Sequence, residues 1–321
     1  MRRITVALAW VLSAAFLTGA EKPDDRAEKP KDLNGFDVEG ATVPRDAIID
    51  GGAGKDGIRS VDAPEFVSPE AATWVAADTP ILGVFVGGAA RAYPVHILEY
   101  HQIVNDVLGG TAVVITYDPL AGTPRIFRRT LEGRTLSFGV SGLLYNSNFL
   151  ISDRETESLW SQFTGQAISG PLAGKTLERI RVRQETAAAW KARHPGSKIL
   201  ARPDRYRIDY GYSRYSAYWI SDQIHFPVNA RDSRYHPKRL VVGVVVNRKS
   251  RAYLDSLVTK AGGKIEDRFE GRKIEIHYDP NAAVFTWEIP DDVKVTEAYW
   301  FAWKAFHPET EVWNEAKNGE P

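Results

Sequence analysis

Two histidines, an asparagine and an aspartate lie close together in one stretch of the sequence, between residues 91 and 123. They are His96, His101, Asn105 and Asp118. Imidazole binds metal ions and carries protons near neutral pH, and carboxylate and amide oxygens bind metal ions or polar ligands. The histidines are not spaced as a helical metal pair, and no nucleophile or phosphate motif is complete here. The stretch therefore predicts a site but not a reaction.

A second stretch, from residue 139 to 162, interleaves polar side chains with Leu, Phe and Trp. Its candidate ligand-binding residues are Tyr145, Asn146, Asp153 and Gln162. We expect them to face the same pocket, although Asn, Asp and Ser also form hydrogen-bonded turn networks. Ser141 lies in a sequence that differs from the nucleophile elbow Gly-x-Ser-x-Gly by one residue. Because of this near match, a hydrolase of unknown substrate is a further alternative.

The absence of cysteine narrows the chemistry of any site. The 321-residue chain has no Cys, which excludes disulfides, thiolate metal sites and cysteine nucleophiles. The remaining ligand types favour a small polar ligand, or a divalent metal such as zinc or manganese held by His96, His101 and Asp118, over a redox centre. A non-catalytic interaction or scaffold protein is the alternative.

The N-terminus has the features of an export signal. Two arginines precede an apolar run and small residues up to Ala20, which predicts a signal peptide over residues 1–20. The run is shorter than the roughly 20 residues that span a bilayer. We therefore expect a periplasmic or secreted protein without stable membrane insertion after cleavage. Residues 21–45 begin with a charged, proline-bearing segment and are predicted to be a disordered tether.

The formal net charge is 0, which does not favour nucleic acid as a partner. The segment rich in Arg and Tyr from residue 202 to 218 is instead interpreted as a linker.

The sequence repeats itself internally. Arg91-Ala92-Tyr93 recurs as Arg251-Ala252-Tyr253 at a shift of 160, and the Tyr-Asp-Pro at 117–119 recurs at a shift of 161. The Trp-Lys-Ala at 190–192 recurs at a shift of only 113, so the first copy carries about 161 − 113 = 48 additional residues, between about 134 and 186. The repeat predicts two homologous halves, 50–205 and 206–315, in a β-rich α+β fold.

Comparing the copies also predicts local structure. Residues 102–108 and 111–117 should form a hairpin that turns at Gly109-Gly110. A short helix is expected over 94–100, and each half should end in a helix, at about 185–193 and 296–306, stopped by a His-Pro. Ser256 and Ala261 stand opposite His96 and His101. The histidines are therefore specific to the first copy, which favours a functional role for them.

Several runs resemble the bacterial family of proteins catalogued as domain of unknown function 3179. They include RAYPVHILEYHQIVND, TYDPLAGT, FGVSGLLYNSNFLISDRETESLWSQFTGQAISGPLAG and YHPKRLVVGV. The resemblance covers about residues 50 to 313 and implies an exported or membrane-associated protein with no assigned reaction.

One position departs from the family pattern. The family typically has Cys-Pro-Leu-Cys-Gly-Thr where this chain has Asp118 and Ala121 in the cysteine places. The resemblance implies a CxxC pair suited to redox or metal chemistry. That chemistry is predicted to be lost here.

Overall fold

Antiparallel strands joined by short glycine-containing turns make up most of the folded chain. The computed structural model describes residues 32–314, and the predicted α+β, β-rich class is confirmed. The predicted signal peptide and residues 21–31 of the predicted tether lie outside the described residues. Within them the α-helices are Val95–His101, Ala187–Arg193, Ser216–Ile220, Asp255–Lys260 and Trp300–Phe306, with 3-10 turns at Arg45–Ala47 and Asp204–Tyr206.

Two sheets form the first half, which we define as residues 50–205. The five-stranded sheet has the order Arg183–Thr186, Pro80–Val86, Ala89–Pro94, Lys198–Leu200, Phe66–Val67. The four-stranded sheet has the order Arg179–Ile180, Thr123–Arg128, Thr111–Asp118, Ile103–Leu108. Buried Val, Leu, Ile and Tyr side chains of both sheets and of the helix Val95–His101 form one core cluster. This core fixes the helix that carries His96.

The second half, residues 206–314, also contains two sheets. One sheet has the order Lys294–Tyr299, Leu240–Val246, Lys249–Leu254, Glu311–Val312, and the other Lys264–Phe269, Arg272–Asp279, Val284–Glu288. A second apolar cluster fills the space between them. A third cluster joins Ala121 and Phe163 of the first half to the helix Trp300–Phe306. Both halves lie within one compact unit.

Residues 134–186 add a sheet that the second half does not have. Its order is Ala167–Ser169, Leu159–Ser161, Asn148–Asp153, Phe138–Tyr145, Ile48–Asp50. Two short pairs complete the strands: Asp32–Leu33 with Phe36–Asp37, and Thr130–Leu131 with Arg134–Thr135. Phe66–Val67 at the edge of the first sheet pairs with residues 199–200.

The predicted tether at 21–45 extends too far. Phe36 and Val38 are buried in a cluster with Leu143 and Leu150. The apolar side chains after the charged segment therefore belong to the core, and the described part of the tether, from residue 32 onward, is folded.

Most of the local predictions agree with the structure. Ile103–Leu108 and Thr111–Asp118 form the predicted antiparallel hairpin, and the helix after Pro94 is present. The two terminal helices begin later than predicted, at Ala187 and Trp300. The residues before them form strands instead, because they pair with the first strand of each half. His194 and His307 end these helices, as predicted.

A glycine in each half lies directly beneath a tryptophan. A Cβ atom on Gly83 would come within 2.4 Å of the Trp190 indole, and one on Gly243 within 2.4 Å of the Trp303 indole. Each indole nitrogen donates a hydrogen bond, to Ser197 or Thr310, so the ring is held in place. The glycines allow the terminal helices to pack closely on the sheets.

We expect Gly83→Ala and Gly243→Ala each to lower the free energy of unfolding by about 1–3 kcal/mol, because the methyl group displaces a fixed indole. Denaturant unfolding measures the effect. Gly196→Ala is the control, since a Cβ atom there has no neighbour within 4 Å. Equal stability of Gly83→Ala and Gly196→Ala would contradict the packing account.

Candidate functional site

A cavity of about 450 Å³ lies between the two halves. We call it the central cavity. The first half lines it with His96, Glu99, Tyr117, Gly122 and Gln184, and the second half with Asp255, Glu297, Tyr299, Trp219 and Lys238, among others. Ligand sites in proteins are commonly clefts of this size between structural units. The cavity brings together titratable side chains from both halves of the chain.

The helix Val95–His101 supplies two of these side chains. His96 and Glu99 are three residues apart, which places them on one face of the helix. Their helix begins after Pro94 and ends at Gln102, whose φ of 58° is left-handed. The buried Ile97 and Leu98 face the core of the first half. The helix is thus anchored on its apolar side and presents His96 and Glu99 to the cavity.

Glu99 is a buried carboxyl group with an open hydrogen-bonding position. Its side chain is only 6% exposed, and within residues 32–314 its Oε2 atom has no hydrogen-bond partner. Burial raises the pKa of Glu99 to about 7, although a hydrogen bond with Ser213 opposes the rise. A buried acceptor without a partner is costly to a fold and is often found where a ligand binds.

The second half brings two more carboxyl groups to the cavity. Burial raises the pKa of Glu297 to about 8, opposed by a hydrogen bond from the backbone N–H of Gln184. Burial also raises the pKa of Asp255, although Arg239 lies 3.5 Å from its Oδ2. Carboxyl groups with raised pKa values exchange protons near neutral pH, as general acids and bases do.

In the part of the chain that the structure describes, the two basic side chains that line the cavity, Lys238 and His96, are not paired with these acids. Lys238 donates to the carbonyl oxygens of Ser221, at 2.6 Å, and Gln223. Its ammonium group also lies 4.1 Å from the centre of the Tyr218 ring. Burial lowers the pKa of His96, with a smaller contribution from Arg202, so the imidazole is neutral at neutral pH.

Aromatic rings form another part of the cavity wall. Burial raises the pKa of Tyr117 well above its ordinary value, and Tyr299, Glu99 and Glu297 add to the rise. These four side chains are therefore close enough to interact electrostatically. Trp219 donates to the carbonyl oxygen of Pro119 at 3.0 Å, which fixes its ring.

The loop from Tyr117 to Gly122 lies beside this cavity. Tyr117 and Gly122 at its ends line the wall. Ala121 is fully buried, and its carbonyl oxygen accepts a 2.8 Å hydrogen bond from the N–H of Tyr299. At Gly122 a Cβ atom would come within 3.0 Å of the Tyr299 ring. The loop is thus pressed against the second half.

Asp118, predicted to bind a ligand, is fully engaged inside the protein. Its Oδ1 accepts from the N–H groups of Leu120 and Ala121, at 2.8 and 3.2 Å. Its Oδ2 accepts from Asn148 Nδ2 at 2.7 Å and from the N–H of Phe149 at 2.9 Å. Burial raises the pKa of Asp118 to about 6, and these four donors oppose the rise.

Gln162 belongs to the same buried network. Its Oε1 accepts from Asn148 and Thr123, and its Nε2 donates to Thr116 and to the carbonyl oxygen of Thr123. The network joins the hairpin of the first half to the sheet of residues 134–186. Asp118 and Gln162 therefore hold these two sheets together and do not face a cavity.

Both ring nitrogens of His101 also form hydrogen bonds within the protein. Its Nδ1 donates to the carbonyl oxygen of Arg59 at 2.7 Å, and its Nε2 accepts from the Tyr210 hydroxyl at 2.6 Å. The side chain is 1% exposed, and burial lowers its pKa. Asn105 is similarly occupied, because it exchanges two hydrogen bonds with the backbone of Phe138 and donates to Asp62.

Three further predicted residues stabilise turns or contacts between the halves. Asp153 accepts from the N–H of Thr156 at 2.7 Å and from the Trp160 indole at 2.8 Å. Asn146 and Tyr145 both accept from Asn229, at 2.8 and 3.2 Å. Of the eight predicted residues, only His96 lines the central cavity.

The three residues predicted to bind a metal are not brought together. Both ring nitrogens of His101 and both carboxylate oxygens of Asp118 are already hydrogen-bonded, while His96 faces the cavity. Among the described residues, no group of three or more His, Asp or Glu side chains has the arrangement of a metal site. Ser141, the alternative nucleophile, donates to the carbonyl oxygen of Leu150 and accepts from the N–H of Leu143.

The prediction from sequence missed Glu99, Asp255 and Glu297. A signal for Glu99 existed, because it is a single carboxylate within the otherwise apolar and aromatic helix sequence VHILEYH and stands opposite Thr259 in the second copy. Glu297 gave no such signal. It lies in an alternating strand, where a charged residue ordinarily faces solvent.

A comparison with protein families matches residues 55–289 to the model described as Protein of unknown function (DUF3179). The chain belongs to this family. Neither the curated proteins nor the solved structures include a match. Over residues 32–314, the helices are all too short or too polar to cross a membrane. Family membership confirms the resemblance that the motifs indicated, but it does not assign a reaction to the protein.

Proposed function

We propose that this DUF3179 protein binds a small polar ligand in the central cavity. The open Oε2 atom of Glu99 carries the proposal, because a buried carboxylate oxygen without a partner is stabilised when a ligand donates a hydrogen bond to it. The volume of about 450 Å³ suits a small organic molecule better than a bare ion. Export to the periplasm or beyond, from the signal sequence, is part of the proposal.

We infer in addition that the halves are copies of one ancestral unit, and that only the first has a histidine and a glutamate on its cavity helix. Arg91 and Tyr93 both donate to Asp106, and Arg251 and Tyr253 both donate to Asp267. The cavity is lined by matching positions, such as the first residues of the helices Val95–His101 and Asp255–Lys260. Pseudo-symmetric packing of two copies would create a cavity of this kind, and a different set of side chains from each copy would make its two walls unequal.

A thermal-shift screen of small polar compounds tests the proposal. We expect at least one compound to stabilise the protein, and Glu99→Leu to weaken its binding at least tenfold while leaving the protein folded. Leucine has a similar size but cannot accept a hydrogen bond. Glu309→Leu is the matched control, because Glu309 is exposed and does not line the cavity.

Compounds that bind Glu99→Leu as tightly as the unmodified protein would place the site elsewhere and refute the proposal. A screen without any stabilising compound would count against it as well.

A further inference from the structure

The charges around the central cavity favour one class of ligand. Glu99, Asp255 and Glu297 bring three carboxyl groups to its wall, and two positively ionisable side chains, Lys238 and His96, line it with them. Lys238 is held by two carbonyl oxygens and a phenol ring. His96 is neutral because of its burial. Asp255 is paired with Arg239 at 3.5 Å, so Glu99 and Glu297 are the acids whose negative charge, once they are ionised, is available to a ligand.

Hydrogen bonding gives an independent indication. Glu99 is 6% exposed, and its Oε2 atom has no partner within the described chain. A carboxylate oxygen accepts hydrogen bonds and does not donate them when ionised. The group that fits against it must therefore donate, and a positively charged donor forms the stronger bond.

The aromatic wall points to the same chemistry. Tyr117, Tyr299 and Trp219 line the cavity beside the acids, and the faces of aromatic rings attract organic cations. An inorganic divalent ion would instead need several oxygen or nitrogen ligands converging on one point. Residues 32–314 contain no such group of His, Asp and Glu.

We propose that the ligand of the central cavity is a small organic amine, whose ammonium group is bound by Glu99 and Glu297 against the Tyr117 and Tyr299 rings. This inference rests on the proposed function, because it requires that the cavity binds a ligand at all. It adds the charge and the chemical class of that ligand.

The test uses probes that are matched in length but differ in charge. They are linear diamines and amino alcohols, the diols of equal length, and the corresponding dicarboxylates, with potassium, magnesium and calcium chloride as separate arms. Binding to the purified protein is measured by calorimetry at pH 8. We expect amines to bind, and Glu99→Gln and Glu297→Gln each to weaken their binding at least tenfold.

Glutamine keeps the size of the side chain and removes only its charge, and Glu309→Gln provides the control at an exposed position. Circular dichroism of each variant shows whether it is folded. If one cavity variant does not fold, the other still tests the prediction.

The two proposals fail in different ways. Diols or dicarboxylates that bind as well as the amines would overturn the amine assignment and leave the proposed function standing. Binding of the inorganic cations alone would overturn both proposals. If no probe binds and the wider screen also finds no ligand, both proposals are wrong. If the wider screen finds only uncharged or anionic ligands, the amine assignment alone is wrong.

Discussion

Asp118→Asn is expected to lower the free energy of unfolding by about 1–3 kcal/mol at pH 8, because the two N–H donors that it leaves without acceptors cost more than the buried charge that it removes. The carboxylate accepts four N–H donors, two on each oxygen. An amide has one oxygen, so its NH₂ group must face either the turn at Leu120 and Ala121 or the pair formed by Asn148 and Phe149. Urea unfolding measures the loss.

The second half offers a matched control for this substitution. Asp279 occupies the corresponding turn, and its Oδ1 accepts from the N–H groups of Asn281 and Ala282. The side chain is exposed, so an amide there can keep its oxygen toward the turn and its NH₂ group in water. Asp279→Asn should change stability by less than about 0.5 kcal/mol. Similar losses in both variants would refute the network account.

The second large effect concerns the pH dependence of stability. The folded pKa of Glu99 is about 7 and its ordinary value is 4.5, so the folded state binds this proton more tightly than the unfolded state. The contribution of Glu99 to stability is fully present at pH values below its ordinary pKa and is lost as the pH rises through about 7. Glu297, with a folded pKa of about 8, acts in the same direction.

Glu99→Gln removes this dependence. Between pH 4.5 and pH 8.5, the free energy of unfolding of the variant should rise by up to about 3 kcal/mol relative to that of the unmodified protein. Each unit by which the Glu99 pKa is raised corresponds to roughly 1.4 kcal/mol. Buried histidines such as His307, whose pKa is lowered to about 4, oppose the trend below pH 6.5. They are present in both proteins and cancel in the difference.

Urea unfolding at several pH values measures this difference. Glu309→Gln, at an exposed position, should follow the unmodified protein throughout. If the free energy of unfolding of Glu99→Gln changes with pH as that of the unmodified protein does, Glu99 does not cause the pH dependence and the prediction is wrong.

The sequence predicted the β-rich class and several elements because their signals are local. The Gly109-Gly110 turn fixes a hairpin, and Pro94 and the His-Pro pairs mark helix ends. The strands before the terminal helices were missed because they form only by pairing with Pro80–Val86 and Leu240–Val246, far away in sequence. Propensity within a short window does not contain that information.

The candidate site was harder to predict for a related reason. Asp118, Asn105 and Gln162 have the side chains of a ligand site, but in the folded chain their polar atoms are hydrogen-bonded to other side chains and to the backbone. The cavity instead depends on how the two halves pack. Glu99 and Glu297 are distant in sequence and share a wall only after that packing. His96 was identified because the second copy has Ser256 in its place.

The additional sheet of residues 134–186 has a consequence for the entropy of the unfolded chain. In the first half, Thr186 pairs with Pro80. In the second half, Tyr299 pairs with Leu240, which is nearer to it in sequence. The entropy of loop closure grows only with the logarithm of the loop length, so the longer connection costs about 0.5 kcal/mol more. A chain of this architecture can therefore accept a whole sheet within one half at a small thermodynamic penalty.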